Sequence, residues 1–392
     1  QAIDPDTKRS GPNGLFDVIS MLQGVDLSAG AWEKEVLSLR LKDYDPGWLD
    51  ELCLTGEIGW GRLSPPKQTS DKPKRSTGVT RAAPISLFLR DDLPWLQAFI
   101  ASSEEETLTQ TAQAVLEILQ IRGAVFASDL LHELQMFPGP LEDAISELVT
   151  RGRLTADGFS GLRQLIAERN GASGRHSQKT PKLLRARRTV AGAGRWSKLA
   201  RFGVPADVDA RRDAVEQWAW QLLRRWGIVF RDLLVRESGT PPWFELLQVY
   251  RKLEARGEIR GGRFVTGVAG EQFALQETVS KLRKLRDQGP GRELVVVSGA
   301  DPLNLVGILT PHPRVPSIAS NKIAYVDGVP LSVLQGGEVI FTQYLSESLK
   351  ASLYDVLKRG RRRATVPASD QSNVEEAEYL YEPESSPREA VS

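Results

Sequence analysis

The sequence predicts an α+β protein in which three small, mainly helical domains precede a small β-sheet or β-barrel unit. Two observations support this prediction. An apolar helix that ends at a glycine and leads into two short strands occurs three times, and the glycines (Gly56, Gly152, Gly257) lie 96 and 105 residues apart. The pattern then changes, because residues 290–343 alternate β-branched runs with the turn pairs Asp327-Gly328 and Gly336-Gly337.

Each repeat has the form of a winged helix, a helix-turn-helix variant whose third helix is followed by a two-stranded wing. Apolar residues at helical spacing extend the pattern on both sides of the repeats, and Ser128 is positioned to cap the second helix of the second repeat. We expect helices over 107–122, 129–134, 213–226, 243–256, 277–286 and 345–358.

Two segments rich in Pro, Gly, Ser and Lys, with few apolar residues, are typical of linkers. The acidic end of the chain is typical of disorder. The predicted organisation is therefore a winged helix at 13–64, a linker at 65–84, a winged helix at 85–166, a basic linker at 167–203, a winged helix at 204–275, a β-barrel-like unit with a closing helix at 276–359, and a disordered basic-then-acidic tail at 360–392.

The overall composition excludes several classes of protein. The 392 residues contain 51 Lys+Arg, 50 Asp+Glu and one cysteine, so an internal disulfide or a thiolate zinc site is excluded. No apolar stretch approaches the roughly 18 residues that a membrane span needs, and we expect a cytoplasmic protein. The sequence starts at Gln1 without an initiator Met, which indicates a processed form or a piece of a longer chain. Nucleotide-binding and metalloprotease motifs are absent from the sequence, and we expect no metal or cofactor in this chain.

The charge is unevenly distributed along the chain. Residues 170–200 contain eight Lys or Arg and no acid, a segment that could neutralise phosphates. Arg195 and Trp196 place a cation beside an aromatic ring, which suits stacking on an unpaired base, although such a Trp could instead anchor a neighbouring domain. The candidate contacts in this segment are Lys182, Arg185, Arg187, Arg188, Arg195 and Trp196.

The third helices of the repeats differ in the chemistry of their outer faces. Those of the first two repeats are predicted to expose acids (Asp50 and Glu51; Glu142, Asp143 and Glu147), which repel phosphate. The third helix of the third repeat is cationic outside its apolar stripe, and the wing of that repeat adds two arginines. We expect this domain to contact nucleic acid, unless the face is merely solvated, through Gln248, Arg251, Lys252, Arg256, Arg260 and Arg263.

The β-rich unit carries a few polar residues at strand ends and turns. If it is catalytic, a carboxylate or amide there could act on a flipped nucleotide. The candidates are Asp301, Asn304, Asn321 and Asp327. For Asp301 the alternative is that it caps a following turn.

Four strings closely resemble the C-terminal part of bacterial large helicase-related (Lhr) proteins, a family of superfamily-2 helicases. They are WLDELCLTGEIGWGRL, PPWFELLQVYRKLEARGEIRGGRFVTGVAGEQFAL, VSGADPLNLVGIL and NKIAYVDGVPLSVLQGGE, and the resemblance covers residues 13–343. It implies a protein that acts in DNA repair on single-stranded or forked DNA or on RNA:DNA hybrids. It also implies that ATP and Mg belong to a helicase core upstream in the same polypeptide, and not to this chain.

The architecture is also similar to that of AlkZ-type DNA glycosylases, which combine winged helices with a β-barrel. Their Gln-x-Gln or Gln-x-Asp motif is absent from this sequence. Three hypotheses follow: a DNA-binding module without a motor, a DNA glycosylase that could act on uracil, and a self-assembling scaffold that could form homo-oligomers.

Overall fold

The computed structural model describes residues 1–64, 79–100, 108–173, 194–288, 293–359 and 363–365. The chain divides into two compact units. The first comprises residues 1–260 with 273–275, and the second comprises residues 261–272 with 276–392.

Three winged-helix domains make up most of the first unit. In the first, a π-helical segment, Trp32–Leu37, precedes α2, and the elements are α1 Gly11–Leu22, β1 Leu27–Ser28, α2 Ser38–Arg40, α3 Pro46–Leu54, β2 Ile58–Gly61 and β3 Pro84–Leu89. A short helix α4, Leu93–Leu96, follows. The second comprises α5 Gln110–Arg122, β4 Val125–Phe126, α6 Ala127–Leu134, α7 Pro138–Thr150, β5 Leu154–Ala156, α8 Ser160–Ser173 and β6 Arg195–Lys198. The third comprises α9 Val208–Trp226, β7 Ile228–Val229, α10 Trp243–Ala255, β8 Ile259–Gly262 and β9 Gln272–Leu275.

The three domains share one sheet topology, which confirms the repeat. Their strand orders are β1-β3-β2, β4-β6-β5 and β7-β9-β8, so the last strand in the chain lies in the centre each time. The glycine after each third helix is left-handed, with φ of +86° at Gly56, +65° at Gly152 and +76° at Gly257. Helix α6, however, starts at Ala127 and is not capped by Ser128.

The predicted linkers are wrong at their ends, because each contains or adjoins the central strand of a sheet. Strand β3 pairs with both β1 and β2, so the first domain extends to Leu89. Strand β6 pairs with both β4 and β5, and helix α8 reaches Ser173, so most of the described part of 167–203 belongs to the second domain. Residues 174–193, which lie outside the described residues, therefore separate α8 and β6 of one domain in the sequence, and not two domains.

Buried side chains join the first two domains in one apolar core. It includes Trp60 from the first domain and Phe159 and Trp196 from the second. At the edge of this core, Arg163 on α8 forms ion pairs with Glu33 and Asp50 of the first domain, at 2.8 and 2.6 Å.

The third domain is attached to the first through buried polar groups on α9. The fully buried Arg225 forms an ion pair with Glu237, and its Nε donates to the Met21 carbonyl at the end of α1 (3.2 Å). Gln221 Nε2 donates to the same carbonyl at 2.9 Å. The buried polar groups named here are therefore paired with each other and with α1, and the third domain is joined to the first by hydrogen bonds as well as by an apolar core.

The second unit is an α+β unit with an open antiparallel sheet. Its elements are α11 Gln276–Gln288, β10 Glu293–Ser298, β11 Lys322–Val326, β12 Val329–Gln335, β13 Glu338–Phe341, α12 Glu347–Arg359 and β14 Arg363–Thr365. The strand order is β13-β12-β11-β10-β14, so within the described residues the strands form a sheet and do not close into a barrel. Leu349, Leu353 and Leu357 of α12 are buried in the apolar core of this sheet.

Candidate nucleic-acid interface

Helix α10 is the third helix of the third winged helix, and its apolar residues fix its orientation. Leu246, Tyr250 and Leu253 are buried at the spacing of one helical face. The Tyr250 hydroxyl donates to the Ala219 carbonyl of α9 at 3.2 Å, and its ring stacks on Phe273 with centroids 5.2 Å apart. Burial, followed by the nearby charge of Glu237, raises the pKa of Tyr250 well above its ordinary value. Tyr250 is therefore a neutral anchor for the helix.

The opposite face of α10 is exposed and mainly cationic. It presents Gln248, Arg251 and Lys252, with Arg256 at the C-terminal end of the helix, as the sequence pattern predicts. Arg256 lies 3.6 Å from Glu258, and both side chains are exposed, so this pair is weak and a phosphate can replace Glu258 as the partner of Arg256. A solvated cationic helix face that is fixed by a buried apolar face is suited to contact phosphates.

The wing carries the two remaining predicted contacts of this domain. Arg260 on β8 is exposed, and so is Arg263 in the loop that follows β8. This loop is held by the buried Gln272. Gln272 Oε1 accepts from the backbone N–H groups of Phe264 and Val265, both at 2.8 Å, and its Nε2 donates to the Val265 carbonyl at 2.9 Å.

Sequence reasoning missed both Gln272 and Phe244. The signal for Gln272 was a polar residue at the start of an apolar strand, where burial requires hydrogen-bond partners. Phe244 is 61% exposed at the start of α10, and it lies on the same face as Gln248, four residues later. An exposed aromatic ring beside an amide and cations adds a stacking group to this face.

Helix α7, the third helix of the second domain, is too buried to enter a groove of DNA. All six residues from Ala144 to Val149 are buried. The prediction that Glu147 lies on the outer face is wrong, because Thr109 at the start of α5 donates to it from its hydroxyl (2.6 Å) and its backbone N–H (3.3 Å). Glu147 also forms an ion pair with Arg151 at 3.2 Å.

Helix α3, the third helix of the first domain, contacts the second domain. Its Asp50 accepts from the Arg163 guanidinium at 2.6 Å and from the Ser160 backbone N–H at 2.8 Å. Burial acts to lower the pKa of Arg163, but hydrogen bonds to Glu33 and Asp50 outweigh this and raise it. Arg163 is therefore a permanent cation that holds α3 and α8 together.

The basic segment between β5 and β6 is only partly described. Lys182, Arg185, Arg187 and Arg188 lie outside the described residues, and they stay predictions. Arg195 is exposed and forms an ion pair with Asp157 at 2.7 Å. Trp196 is fully buried in the shared core of the first two domains, so the prediction that it stacks on a base is wrong and the alternative role as an anchor is correct.

Three of the four catalytic candidates lie together, but they are buried. Asp301 is 0% exposed and its Oδ1 accepts from the Leu303 backbone N–H at 2.9 Å, which is the turn-capping alternative. Asn304 Nδ2 donates to the carbonyls of Gly299 and Val315, and Asn321 Nδ2 donates to that of Pro316. These hydrogen bonds to nearby backbone groups give the three side chains a structural role in this loop, while the Asn304 Oδ1 is buried without a hydrogen-bond partner among the described residues. A catalytic role for them stays a prediction.

Asp327 is separated from the other three candidates. It lies in the exposed turn after β11 with φ of +50°, whereas Asn321 directly precedes β11. At about 3.4 Å per residue, the length of the strand puts them some 17–20 Å apart. The four residues therefore do not form one site.

Two properties of the described residues bear on cofactors and membranes. No three His, Cys, Asp or Glu side chains in these ranges are grouped as metal ligands would be. No helix among them combines the length and apolarity needed to cross a bilayer.

The fold places the chain among tandem winged-helix proteins. Residues 1–78 and residues 208–294 each match the family profile of a large helicase-related protein winged-helix domain. The chain is therefore related to the Lhr helicase family and contains two winged helices of the Lhr type.

Two curated relatives are similar over most of this chain. The Lhr helicase/uracil glycosylase of Escherichia coli (strain K12) is 29% identical over 388 residues, which cover 90% of this chain and 24% of the relative. The Lhr helicase/ probable uracil glycosylase of Mycolicibacterium smegmatis is 30% identical over 356 residues, covering 84% of this chain and 22% of the relative. The chain thus spans about a quarter of the length of these curated relatives.

Proposed function

We propose that this chain is a DNA-binding region of an Lhr-type ATP-dependent helicase, and that it engages single-stranded or branched DNA through α10 and its wing. One observation carries the proposal. Of the three third helices in the described winged helices, α3 is tied to the second domain, α7 is buried over Ala144–Val149, and α10 presents an exposed cationic face.

In this proposal the motor lies elsewhere in the longer protein. Both relatives are named as helicases, and the chain covers about a quarter of the length of each of them. ATP and Mg would bind that helicase core, and this region would position DNA for it during repair. An RNA:DNA hybrid is a second substrate that the same phosphate contacts could hold.

The proposal is tested by measuring the binding of fluorescent single-stranded and forked DNA by anisotropy across a range of salt, without ATP. The test variant replaces Arg251, Lys252 and Arg256 with Ala. The control variant replaces Arg9, Arg122 and Arg212 with Ala, which are also exposed and remove the same charge from other elements. The test variant should bind at least about tenfold more weakly at low salt. The plot of its log affinity against log salt should also be shallower, with a slope smaller in magnitude by about 2. Equal effects of the two variants would overturn the assignment of α10.

A second candidate function is the removal of uracil from DNA, which is favoured by the names of both relatives, a uracil glycosylase and a probable uracil glycosylase. Among the four candidates in the β-rich unit, Asp327 alone is exposed. The purified chain would be incubated with a uracil-containing oligonucleotide and assayed for alkali-labile product. Product formed by the wild type and lost in Asp327→Asn would support this function at that residue, whereas intact DNA would exclude it for this chain.

A further inference from the structure

Two tyrosines beside and on α12 are exposed to solvent although their rings are large and mostly apolar. Tyr344, three residues before the helix, is 88% exposed, and Tyr354, within it, is 53% exposed. Neither residue belongs to the core of the second unit, which uses Leu345, Leu349 and Leu353 instead. Their rings are therefore available to a partner, and the packing of the fold does not require them.

A lysine ammonium group lies over each of these rings. Lys350 Nζ lies 5.5 Å from the ring centroid of Tyr344, and Lys358 Nζ lies 5.6 Å from that of Tyr354. Lys350, Tyr354 and Lys358 follow one another at intervals of four residues, so they share one face of α12. Tyr344, Lys350, Tyr354 and Lys358 thus alternate rings with cations along the chain, and one acid, Glu347, lies on the same side of the helix.

The buried side of α12 holds this face in place. Leu349, Leu353 and Leu357 are packed in the core of the second unit, and the Lys358 ammonium donates to the Gly337 carbonyl in the turn before β13. Lys350 also pairs with Glu347 at 2.7 Å, but the Glu347 side chain is 91% exposed, so this pair is weak in water. An ammonium has three N–H donors, so each lysine still has donors for an anion beyond these contacts.

The chemistry of the face matches that of a nucleic acid strand with unpaired bases. A base can stack on an aromatic ring irrespective of its identity, while neighbouring cations hold the backbone phosphates. A duplex keeps its bases stacked on each other and offers only its phosphates. Alternating rings and cations therefore favour a single strand over a duplex.

We propose that the exposed face of α12 is a second nucleic-acid surface, which takes unpaired bases of a single strand on Tyr344 and Tyr354 and the adjoining phosphates on Lys350 and Lys358. This surface is independent of α10, and it rests on the proposed function only in that the chain binds DNA. It gives a specific basis for a preference for single-stranded or forked DNA.

The experiment uses the full chain and a fluorescent oligonucleotide of about 15 thymidines, the upper range of single-strand site sizes, with a matched duplex as reference. Two double variants are compared at one salt concentration: Tyr344→Ala with Tyr354→Ala, and Tyr344→Phe with Tyr354→Phe, which keeps both rings. The alanine variant should bind the single strand about tenfold more weakly or worse, while its duplex affinity and the single-strand affinity of the phenylalanine variant stay within about twofold.

Other outcomes would overturn the proposal. They are unchanged single-strand binding by the alanine variant, an equal loss on the duplex, or an equal loss in the phenylalanine variant. A second pair of changes leaves the rings in place, in case the alanine variant is poorly folded. For Lys350→Gln with Lys358→Gln, the slope of log affinity against log salt for the single strand should be smaller in magnitude by about 1.4, since each phosphate contact contributes about 0.7.

The α10 variant separates this proposal from the proposed function. If the replacements on α10 weaken binding and those of the tyrosines do not, only the α12 surface fails. If the tyrosine replacements weaken binding and those on α10 do not, the assignment of α10 fails and the α12 surface stands.

Discussion

Trp60 on β2 and Trp196 on β6 meet edge to face, with ring centroids 6.2 Å apart and ring planes at 83°. The two rings come from different winged-helix domains, and both are fully buried. The Trp60 indole N–H also donates to the Gly158 carbonyl of the second domain at 3.1 Å. The first two domains therefore share a core, so we expect them to unfold together.

Replacing Trp60 with Ala should destabilise both domains at once. Truncation of a buried aromatic residue leaves a cavity and costs about 3–5 kcal/mol. Hydrogen exchange should accelerate in α1 and in α5 to a similar extent, although Trp60 belongs to the first domain only. Phe137→Ala is the control, because this side chain is 83% exposed and its loss should change stability by less than about 0.5 kcal/mol. Faster exchange confined to the first domain would contradict a common core.

Arg163→Met should destabilise the contact between α8 and α3. The change leaves Glu33 and Asp50 partly buried and without their cation, which should cost about 2–4 kcal/mol in urea unfolding. Arg195→Met is the matched control, since Arg195 also forms an ion pair, with Asp157, but this pair lies within one domain and the Arg195 side chain is 52% exposed. We expect this control to lose less than about 1 kcal/mol. Similar losses in the two variants would show that the Arg163 pairs are no stronger than surface pairs.

The sequence was sufficient to predict most of the helices and the three left-handed glycines, because apolar periodicity and glycine positions are local properties. It did not predict α8, whose second half falls in the predicted basic linker. It did not reveal the central strands β3 and β6, since each lies far along the chain from its partners. Trp60 and Ala156 illustrate this: they pair with Leu87 and Trp196, 27 and 40 residues later. Each of these short strands follows a polar segment, and was therefore assigned to the wrong domain or to a linker.

The candidate site was predictable where it depended on one helix. The exposed face of α10 follows from the spacing of Leu246, Tyr250 and Leu253 alone. Burial by another element was not predictable in this way. Glu147 has a solvent-facing position on a helical wheel, yet Thr109 from α5 binds it. Asp301 and Asn304 have catalytic side chains by type, and only the three-dimensional structure shows that they bind their own backbone.

Gln272→Ala should loosen the wing of the third domain without unfolding the chain. The change removes a buried acceptor from the Phe264 and Val265 N–H groups, and we expect a loss of about 1–3 kcal/mol. Exchange of these two amide hydrogens should accelerate, and DNA affinity should fall if Arg263 contributes to binding. Unchanged amide exchange in Gln272→Ala would contradict a role for Gln272 in ordering this loop.

Cys53 should make the stability of the first domain sensitive to alkaline pH. Its thiol is buried on α3, and this burial, with a smaller contribution from the charge of Asp50, raises its pKa to about 12. An unfolded thiol ionises near pH 8.5, whereas the folded thiol stays protonated, so this contribution to stability is complete below about pH 8.5 and is lost as the pH rises towards 12. Serine cannot ionise in this range. Between pH 7.5 and 9.5 the free energy of unfolding in urea should therefore fall by about 1.4 kcal/mol more for the wild type than for Cys53→Ser. The tyrosines are the same in both proteins, so their ionisation cancels from the difference. If the stabilities of the wild type and of Cys53→Ser fall in parallel, the thiol is not shielded from ionisation in the folded chain.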